Sequence, residues 1–172
     1  MKTKTKATER ASHAVATGDY GHAVADGDYG HAAALGDYGH SAALGDYGHA
    51  AACGLNGHAV ATGAYGNAAA LGHQGHAAVT GIYGHAAACG LNGHAASLGR
   101  DGHAAALGDY GHAAAGHKGR AKSGKGGVIS ILWWDVENSR PRLAVGYVGE
   151  NGLKADTWYR VSGSGELVEV AK

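Results

Sequence analysis

Apolar and polar positions follow a regular nine-residue pattern over most of this chain. A typical unit reads Gly-Asp-Tyr-Gly-His-Ala-Ala-Ala-Leu, and its His recurs at every ninth position from His13 to His112 except at Asn67. Within a unit, a segment such as 31–35 alternates around two Ala, and a Gly-x-x-Gly segment such as 36–39 follows. Alternation with period two predicts a β-strand, and the glycine pair predicts a tight turn. Each unit is therefore expected to form one strand and one corner.

A fixed short period of this kind predicts an all-β fold, a parallel β-solenoid in which each nine-residue unit is a half-coil. A coil could contain two units or three. The identical segments 53–59 and 89–95 lie 36 residues apart, which is a multiple of 18 but not of 27. Tyr and side-chain amides also segregate between alternate corners. We therefore predict two-faced coils of 18 residues, six of them over residues 9–116.

The direction of the side chains follows from the same alternation. Ala32 and Ala34 share one face of their strand with the flanking Gly, while His31, Ala33 and Leu35 share the other. Placing the Ala and Gly inside gives a thin core, whereas the reverse would bury a long series of His without partners. The sequence predicts that Ala and Gly form the interior.

One outer face of this solenoid carries an apolar ladder, and an exposed apolar stripe of this length marks an interface. We expect the protein to form a homo-oligomer, a trimer or a dimer, through this face. The alternative is that these are scattered surface residues. The apolar ladder comprises Thr17, Leu35, Cys53, Leu71, Cys89 and Leu107.

Two further series of outward side chains are candidate ligand-binding surfaces. Imidazole binds zinc, copper and nickel, and aromatic edges bind glycans. Two adjacent His do not complete a metal site, however, so we predict no specific metal site and no cofactor. We also expect the stacked His to have a pKa below about 6.5, because protonated rings repel each other. The tyrosine edge comprises Tyr29, Tyr47, Tyr65 and Tyr83, and the histidine ladder comprises His22, His40, His58, His76, His94 and His112.

The composition changes at the C-terminal end of the repeats. Residues 1–12 are expected to form an N-terminal arm or cap, 13–116 the solenoid, and 117–127 a linker. Residues 128–172 contain apolar, aromatic segments separated by turn sequences, which predicts a small antiparallel β-meander of four strands. Most of its large aromatic rings are expected to be core or docking residues.

Composition and charge exclude several classes of function. Lys and Arg together number 14, as do Asp and Glu, so no net field attracts nucleic acid or an anionic membrane. No secretory signal or membrane-spanning segment is visible, which favours a cytoplasmic or virion-associated protein. Two Cys do not form a disulfide framework. A uniform repeat has no unique pocket for catalysis, so the chain is not expected to be an enzyme.

The motifs resemble those of known repeat proteins. The Gly-x-x-Gly/Ser-x-Ala-x-Ala rhythm of residues 13–115 resembles the β-roll heads of trimeric autotransporter adhesins and repeat proteins of bacteriophages and their hosts. Residues 128–170 look like the C-terminal module of uncharacterised bacterial and phage proteins with such repeats, through Trp-Trp-Asp at 133–135, the turn 149–152 and Asp-Thr-Trp-Tyr-Arg-Val at 156–161. The resemblance implies this architecture and no particular activity.

These observations lead to one expected function and one alternative. The first is a non-catalytic structural or assembly protein, an oligomeric β-solenoid rod or fibre component, borne by a phage or another mobile element. The alternative is a binding module that displays the histidine ladder to a metal or the tyrosine edge to a glycan.

Overall fold

The computed structural model describes residues 4–7 and 10–171, and in these residues the chain is all-β. The first sheet contains, in spatial order, β1 (Lys4–Ala7), β3 (His22–Ala25), β5 (His40–Ala43), β7 (His58–Ala61), β9 (His76–Val79), β11 (His94–Ser97), β13 (His112–Ala115), β15 (Val128–Asp135) and β16 (Arg140–Tyr147). The second contains β18 (Leu167–Glu169), β17 (Tyr159–Val161), β14 (Arg120–Ser123), β12 (His103–Ala106), β10 (His85–Ala88), β8 (Asn67–Ala70), β6 (His49–Ala52), β4 (His31–Ala34) and β2 (His13–Ala16). The part of the chain that is described has no helix that could cross a membrane.

Odd-numbered and even-numbered strands of the repeat lie in opposite sheets, and each pairs in parallel with the strand one coil further along. His31 is level with His49, for example, and His40 with His58. This register confirms the two-faced coil of 18 residues. The solenoid has about seven coils rather than the six that the repeat predicts.

The additional coil comes from segments outside the predicted repeat boundaries. β1 lies within the predicted arm 1–12 and pairs with β3. The predicted linker 117–127 contains β14, which pairs in parallel with β12, so this segment continues the solenoid instead of connecting two domains. Its sequence, Arg-Ala-Lys-Ser, keeps the inward Ala121 and Ser123 but has lost the leading His. Backbone pairing needs only the inward pattern, and this is why the strand forms without the His.

The corners depend on two glycines with different neighbours. A Cβ on Gly36 would lie 2.5 Å from the carbonyl of Gly18 in the preceding coil, because successive corners stack backbone on backbone. A Cβ on Gly39 would instead lie 2.8 Å from the Cβ of the inward Ala34. Between them, Tyr38 adopts a positive φ of 55°. The first glycine of a corner is therefore required by the stacking of corners, and the second by its contact with the core.

The core is as thin as the sequence predicts. Ala32 and Ala34 are 3% and 0% exposed, whereas the His and the central Ala of the same strand face outward. The few larger inward side chains are accommodated locally. Ser97, for example, is fully buried and its hydroxyl donates to the carbonyl of Gly84 at 2.8 Å. Ile129 and Ile131 close the C-terminal end of the same core.

The antiparallel strands expected at the C-terminal end are present, but they extend the two solenoid sheets. β15 pairs in parallel with β13 and forms a hairpin with β16, while the hairpin β17–β18 pairs antiparallel with β14. Tyr159 is 3% exposed and its hydroxyl oxygen accepts from the backbone N–H of Lys154 at 2.8 Å. Trp134 and Tyr147 are about half exposed, so only part of the aromatic set is core.

Candidate functional site

The predicted apolar ladder lies on the outer face of the second sheet, where its residues follow successive even-numbered strands. Leu35, Leu71 and Leu107 are 49%, 51% and 40% exposed. Cys53 and Cys89 are exposed free thiols on the same line. The structure thus brings all six residues of the ladder onto one face, with one residue for each coil.

A shallow groove of about 430 Å³ runs beside the apolar ladder. Its floor is formed by the central outward residue of each strand, such as Ala51 and Ala69, and its wall by the leading residue, such as His49 and Asn67. A line of small side chains therefore lies between two lines of larger ones on this face. The sequence contains the signal for the groove, a small residue between two larger outward positions, but we did not predict it.

The opposite face, on the first sheet, differs in chemistry. The equivalent groove is smaller, about 210 Å³, and lies near His22, His40 and His58. At the N-terminal end the ladder position is occupied by Asp26, whose carboxylate forms an ion pair with Lys6 at 3.3 Å. The residues at the ladder position of this face are Asp26, Leu44, Thr62, Thr80, Leu98 and Gly116. This face is more polar than the one that carries the apolar ladder.

The histidine ladder of the first sheet forms a continuous column of rings. From His22 to His94, neighbouring rings stack with centroids 4.7–5.0 Å apart and interplanar angles of 3–7°. His112 ends the column edge-on to His94, and its Nε2 lies 2.8 Å from the Ser130 hydroxyl oxygen. Equal spacing follows from the parallel in-register sheet, because each rung repeats the backbone of the one before.

The His on the second sheet form a broken column. His13, His31 and His49 stack at 5.0 and 4.9 Å, and Asn67 then occupies the next rung. Beyond it, His85 and His103 lie edge-on at 4.8 Å. The break matters because Asn67 stands at the centre of the face that also carries the apolar ladder.

Burial, and then the neighbouring rings, lower the pKa of some of these His. Burial lowers the pKa of His58, and the neighbouring His76 and His40 lower it further because each disfavours a like charge. On the second sheet, burial and then His49 and His13 lower the pKa of His31. The predicted direction is confirmed at six positions, which are His31, His40, His58, His76, His103 and His112.

The geometry of the columns does not suit a metal ion. Within residues 4–7 and 10–171, no group of three or more His, Cys, Asp or Glu could hold one. Parallel rings aim their nitrogen lone pairs in the same direction instead of toward a common point, whereas zinc takes convergent ligands in a tetrahedron. The ladder therefore presents a line of separate imidazoles.

The tyrosine edge is also a column of stacked rings. Tyr29, Tyr47, Tyr65 and Tyr83 have neighbouring centroids 5.1–5.3 Å apart. A glycan binds the face of an aromatic ring, but here each inner ring has its faces covered by its neighbours. What the edge offers to a ligand is ring edges and hydroxyl groups. On the other edge Tyr20 and Tyr38 stack in the same way, and Asn56, Gln74 and Asn92 follow at the same corner position.

The corner Asp residues have a structural role that sequence reasoning missed. The carboxylate of Asp37 accepts a hydrogen bond from the backbone N–H of Leu55 at 2.8 Å, and Asp19 accepts from the N–H of Asp37 at 3.1 Å. These side chains tie one corner to the next. A carboxylate that repeats with the coil, next to a corner amide, is the signal that could have identified the role.

A third concave region lies at the C-terminal end, where the two hairpins approach each other. It has a volume of about 270 Å³ and is lined by Lys118, Arg160 and the partly exposed Trp133. Nearby, Trp158 packs against His103 with ring centroids 5.5 Å apart and lies 5.1 Å from the Lys122 ammonium group. These contacts hold the segment before β17 against the last coils.

Comparison of the chain with protein-family models, curated proteins and solved structures finds no match. The fold and the surface chemistry described above are therefore the observations from which a function is inferred.

Proposed function

We propose that this protein is a non-catalytic structural or assembly protein, an oligomeric β-solenoid rod that serves as a spacer or fibre component. The observation that carries the proposal is the exposed apolar ladder next to the Ala-floored groove on the second sheet. A virion-associated location, in a phage or another mobile element, fits such a role.

The spacing of the ladder favours a second copy of the same chain as its partner. Rungs recur at about 4.8 Å along the solenoid, the spacing of neighbouring strands in any β-sheet. Another copy repeats its Leu, Ala and His positions with the same spacing, so contacts made at one rung are made at all of them. A partner without this repeat would match only one or two rungs.

The face is large enough for association of moderate strength. Six even-numbered strands, β2 to β12, each present about three outward side chains, which is close to the roughly 20–30 residues of a standard interface. Burying the exposed half of a Leu side chain contributes about 1 kcal/mol, and Leu35, Leu71 and Leu107 are each about half exposed. The Ala floor adds methyl groups that a partner's larger side chains can cover.

Sedimentation velocity on the full chain tests this proposal. We expect a discrete dimer or trimer at micromolar concentration, unchanged by a chelator. Leu71→Lys places a charge in the centre of the apolar ladder and should give monomers. Leu98→Lys is the matched control, because Leu98 is similarly exposed but lies on the first sheet, and it should leave the oligomer intact.

Three results would overturn the proposal. A wild-type monomer at tens of micromolar would show that the ladder is an ordinary exposed surface. Dissociation by Leu98→Lys but not by Leu71→Lys would place the interface on the other sheet. Assembly that is lost with a chelator would favour the alternative function, in which the histidine ladder binds metal.

A further inference from the structure

Five consecutive half-coils of the second sheet occur in palindromic order. Residues 31–39 and 103–111 have the same sequence, His-Ala-Ala-Ala-Leu-Gly-Asp-Tyr-Gly. Residues 49–57 and 85–93 are also identical, and read His-Ala-Ala-Ala-Cys-Gly-Leu-Asn-Gly. The unit 67–75 between them, Asn-Ala-Ala-Ala-Leu-Gly-His-Gln-Gly, occurs once. The order of units along the face is therefore the same when it is read in either direction.

The fold converts this order into a symmetric surface. The strands of the five units are β4, β6, β8, β10 and β12, which are successive neighbours in the second sheet. Their registers are all in step, with His49 level with Asn67 and Asn67 level with His85. Identical units therefore lie at equal distances on the two sides of β8, and the outward Leu, Cys, Leu, Cys, Leu series is centred on Leu71.

We infer that two copies associate through this face as a two-fold dimer with antiparallel solenoid axes, the symmetry axis running along β8. This deepens the proposed self-association and rests on it. Rotation about such an axis reverses the order of the rungs, so the rung before the centre in one copy meets the rung after the centre in the other. Cys53 then faces Cys89 of the second copy, and Leu35 faces Leu107. The palindrome makes every one of these contacts join rungs of identical sequence.

The central rung has the chemistry that a symmetry axis demands. On the axis each side chain meets its own copy, so a group that both donates and accepts hydrogen bonds can pair with itself. Asn67 stands here in place of the His found on the other rungs, and an amide can both donate to and accept from a second amide. Its Nδ2 donates to the Tyr65 carbonyl at 3.2 Å, which leaves one N–H and the Oδ1 for the second copy. Leu71 meets Leu71, an apolar contact.

The opposite face lacks this exact order. Residues 40–48 and 94–102 lie on the first sheet at equal distances from the level of β8, yet they read His-Ser-Ala-Ala-Leu-Gly-Asp-Tyr-Gly and His-Ala-Ala-Ser-Leu-Gly-Arg-Asp-Gly. In a parallel dimer or trimer, each rung would meet the same rung of another copy, and the order of rungs would be free. Exact palindromic order on the apolar face alone therefore favours the antiparallel arrangement.

The two cysteines allow a direct test by oxidative cross-linking to a disulfide, which forms only when the two Cα atoms lie within about 7 Å of each other. In the antiparallel dimer the two copies of Cys53 are separated by about 10 Å along the solenoid, which is two rungs, while Cys53 and Cys89 of different copies are level. Wild-type protein should cross-link to a dimer. Cys53→Ser alone and Cys89→Ser alone should not cross-link, and an equal mixture of the two variants should give cross-linked protein in about half of its dimers.

Each other outcome is informative. If either single-cysteine variant cross-links with itself, the copies are parallel and the inference is wrong, although self-association stands. If the wild type sediments as an oligomer without cross-linking, the contact lies elsewhere on the molecule. If it sediments as a monomer, the proposed function fails as well. Sedimentation of both variants checks that the Ser substitutions leave the dimer intact.

Discussion

The imidazole rings of His58 and His76 lie parallel, with centroids 4.7 Å apart and an interplanar angle of 3°. They belong to a column in which every ring has a neighbour one coil away. Neutral rings stack favourably at this distance, but protonated rings repel each other. The column therefore makes the stability of the solenoid depend on pH.

Stability should fall as the pH decreases below about 6.5. The native pKa of His58 is lowered by burial and by His76 and His40, so the unfolded chain binds more protons than the folded chain in this range. This loss of stability is absent above the pKa of the unfolded chain, and it grows as the pH falls toward the lower pKa of the folded chain. We expect the melting temperature to be constant between pH 8 and pH 7 and to decrease toward pH 5.

A single substitution separates this effect from general acid sensitivity. His58→Asn introduces the residue that occupies the corresponding position of β8 naturally, and it should reduce the decrease between pH 7 and pH 5. His117→Asn removes a His at a corner outside both columns and should leave the decrease unchanged. A melting temperature that is independent of pH in the wild type would contradict the prediction.

The first glycine of a corner should not tolerate a side chain. In Gly36→Ala the new Cβ would lie 2.5 Å from the carbonyl of Gly18, so the stacked corners would have to separate. We expect a loss of about 2–3 kcal/mol in the free energy of unfolding, measured by urea denaturation. Gly163→Ala is the control, because nothing lies within 4 Å of its Cβ position, and its effect should stay within about 0.5 kcal/mol. Equal effects of the two substitutions would refute the stacking argument.

Adjacent alanines of β9 should respond in opposite ways to enlargement. Ala77 is 2% exposed and points into the thin interior, while Ala78 faces outward. Ala77→Leu would force the two sheets apart and should cost about 3 kcal/mol or prevent folding. Ala78→Leu should change stability by less than about 1 kcal/mol. Circular dichroism during urea denaturation distinguishes the two, and a stable Ala77→Leu variant would show that the interior is wider than described.

The corner carboxylates should contribute modestly and through hydrogen bonding. Asp37→Ala removes the acceptor for the N–H of Leu55, and we expect a loss of about 1 kcal/mol in the free energy of unfolding. Asp37→Asn keeps an acceptor oxygen at the same place and should retain most of the stability. If both variants lose the same amount, the charge and not the hydrogen bond is responsible.

Much of the fold follows from the sequence by simple geometry. A strand of period two with Ala at both inward positions, such as Ala32 and Ala34, permits only a thin interior. Stacking Gly36 on Gly18 requires that the repeat close after 18 residues. These features are local, or repeat without change, so one unit contains the information for all of them. The same holds for the positions of the outward ladders.

The C-terminal end was less predictable because its pairing is non-local. β14 has the inward pattern without the His signature, so its sequence predicts a linker and not a strand of the solenoid. The strands β15 to β18 carry clear strand patterns, but a pattern does not say which edge a strand will join. Each hairpin joins the exposed edge of one sheet, β15–β16 at β13 and β17–β18 at β14.

The coil, the interior and the residues on each outer face follow from the amino-acid pattern, because a short repeat places every copy in the same environment. The stacking of the His58 and His76 rings, the volume of the groove beside Leu71 and the division of the terminal hairpins between two sheets follow only from the folded chain. These properties depend on distances between coils and on free sheet edges, which arise only when strands far apart in sequence lie side by side.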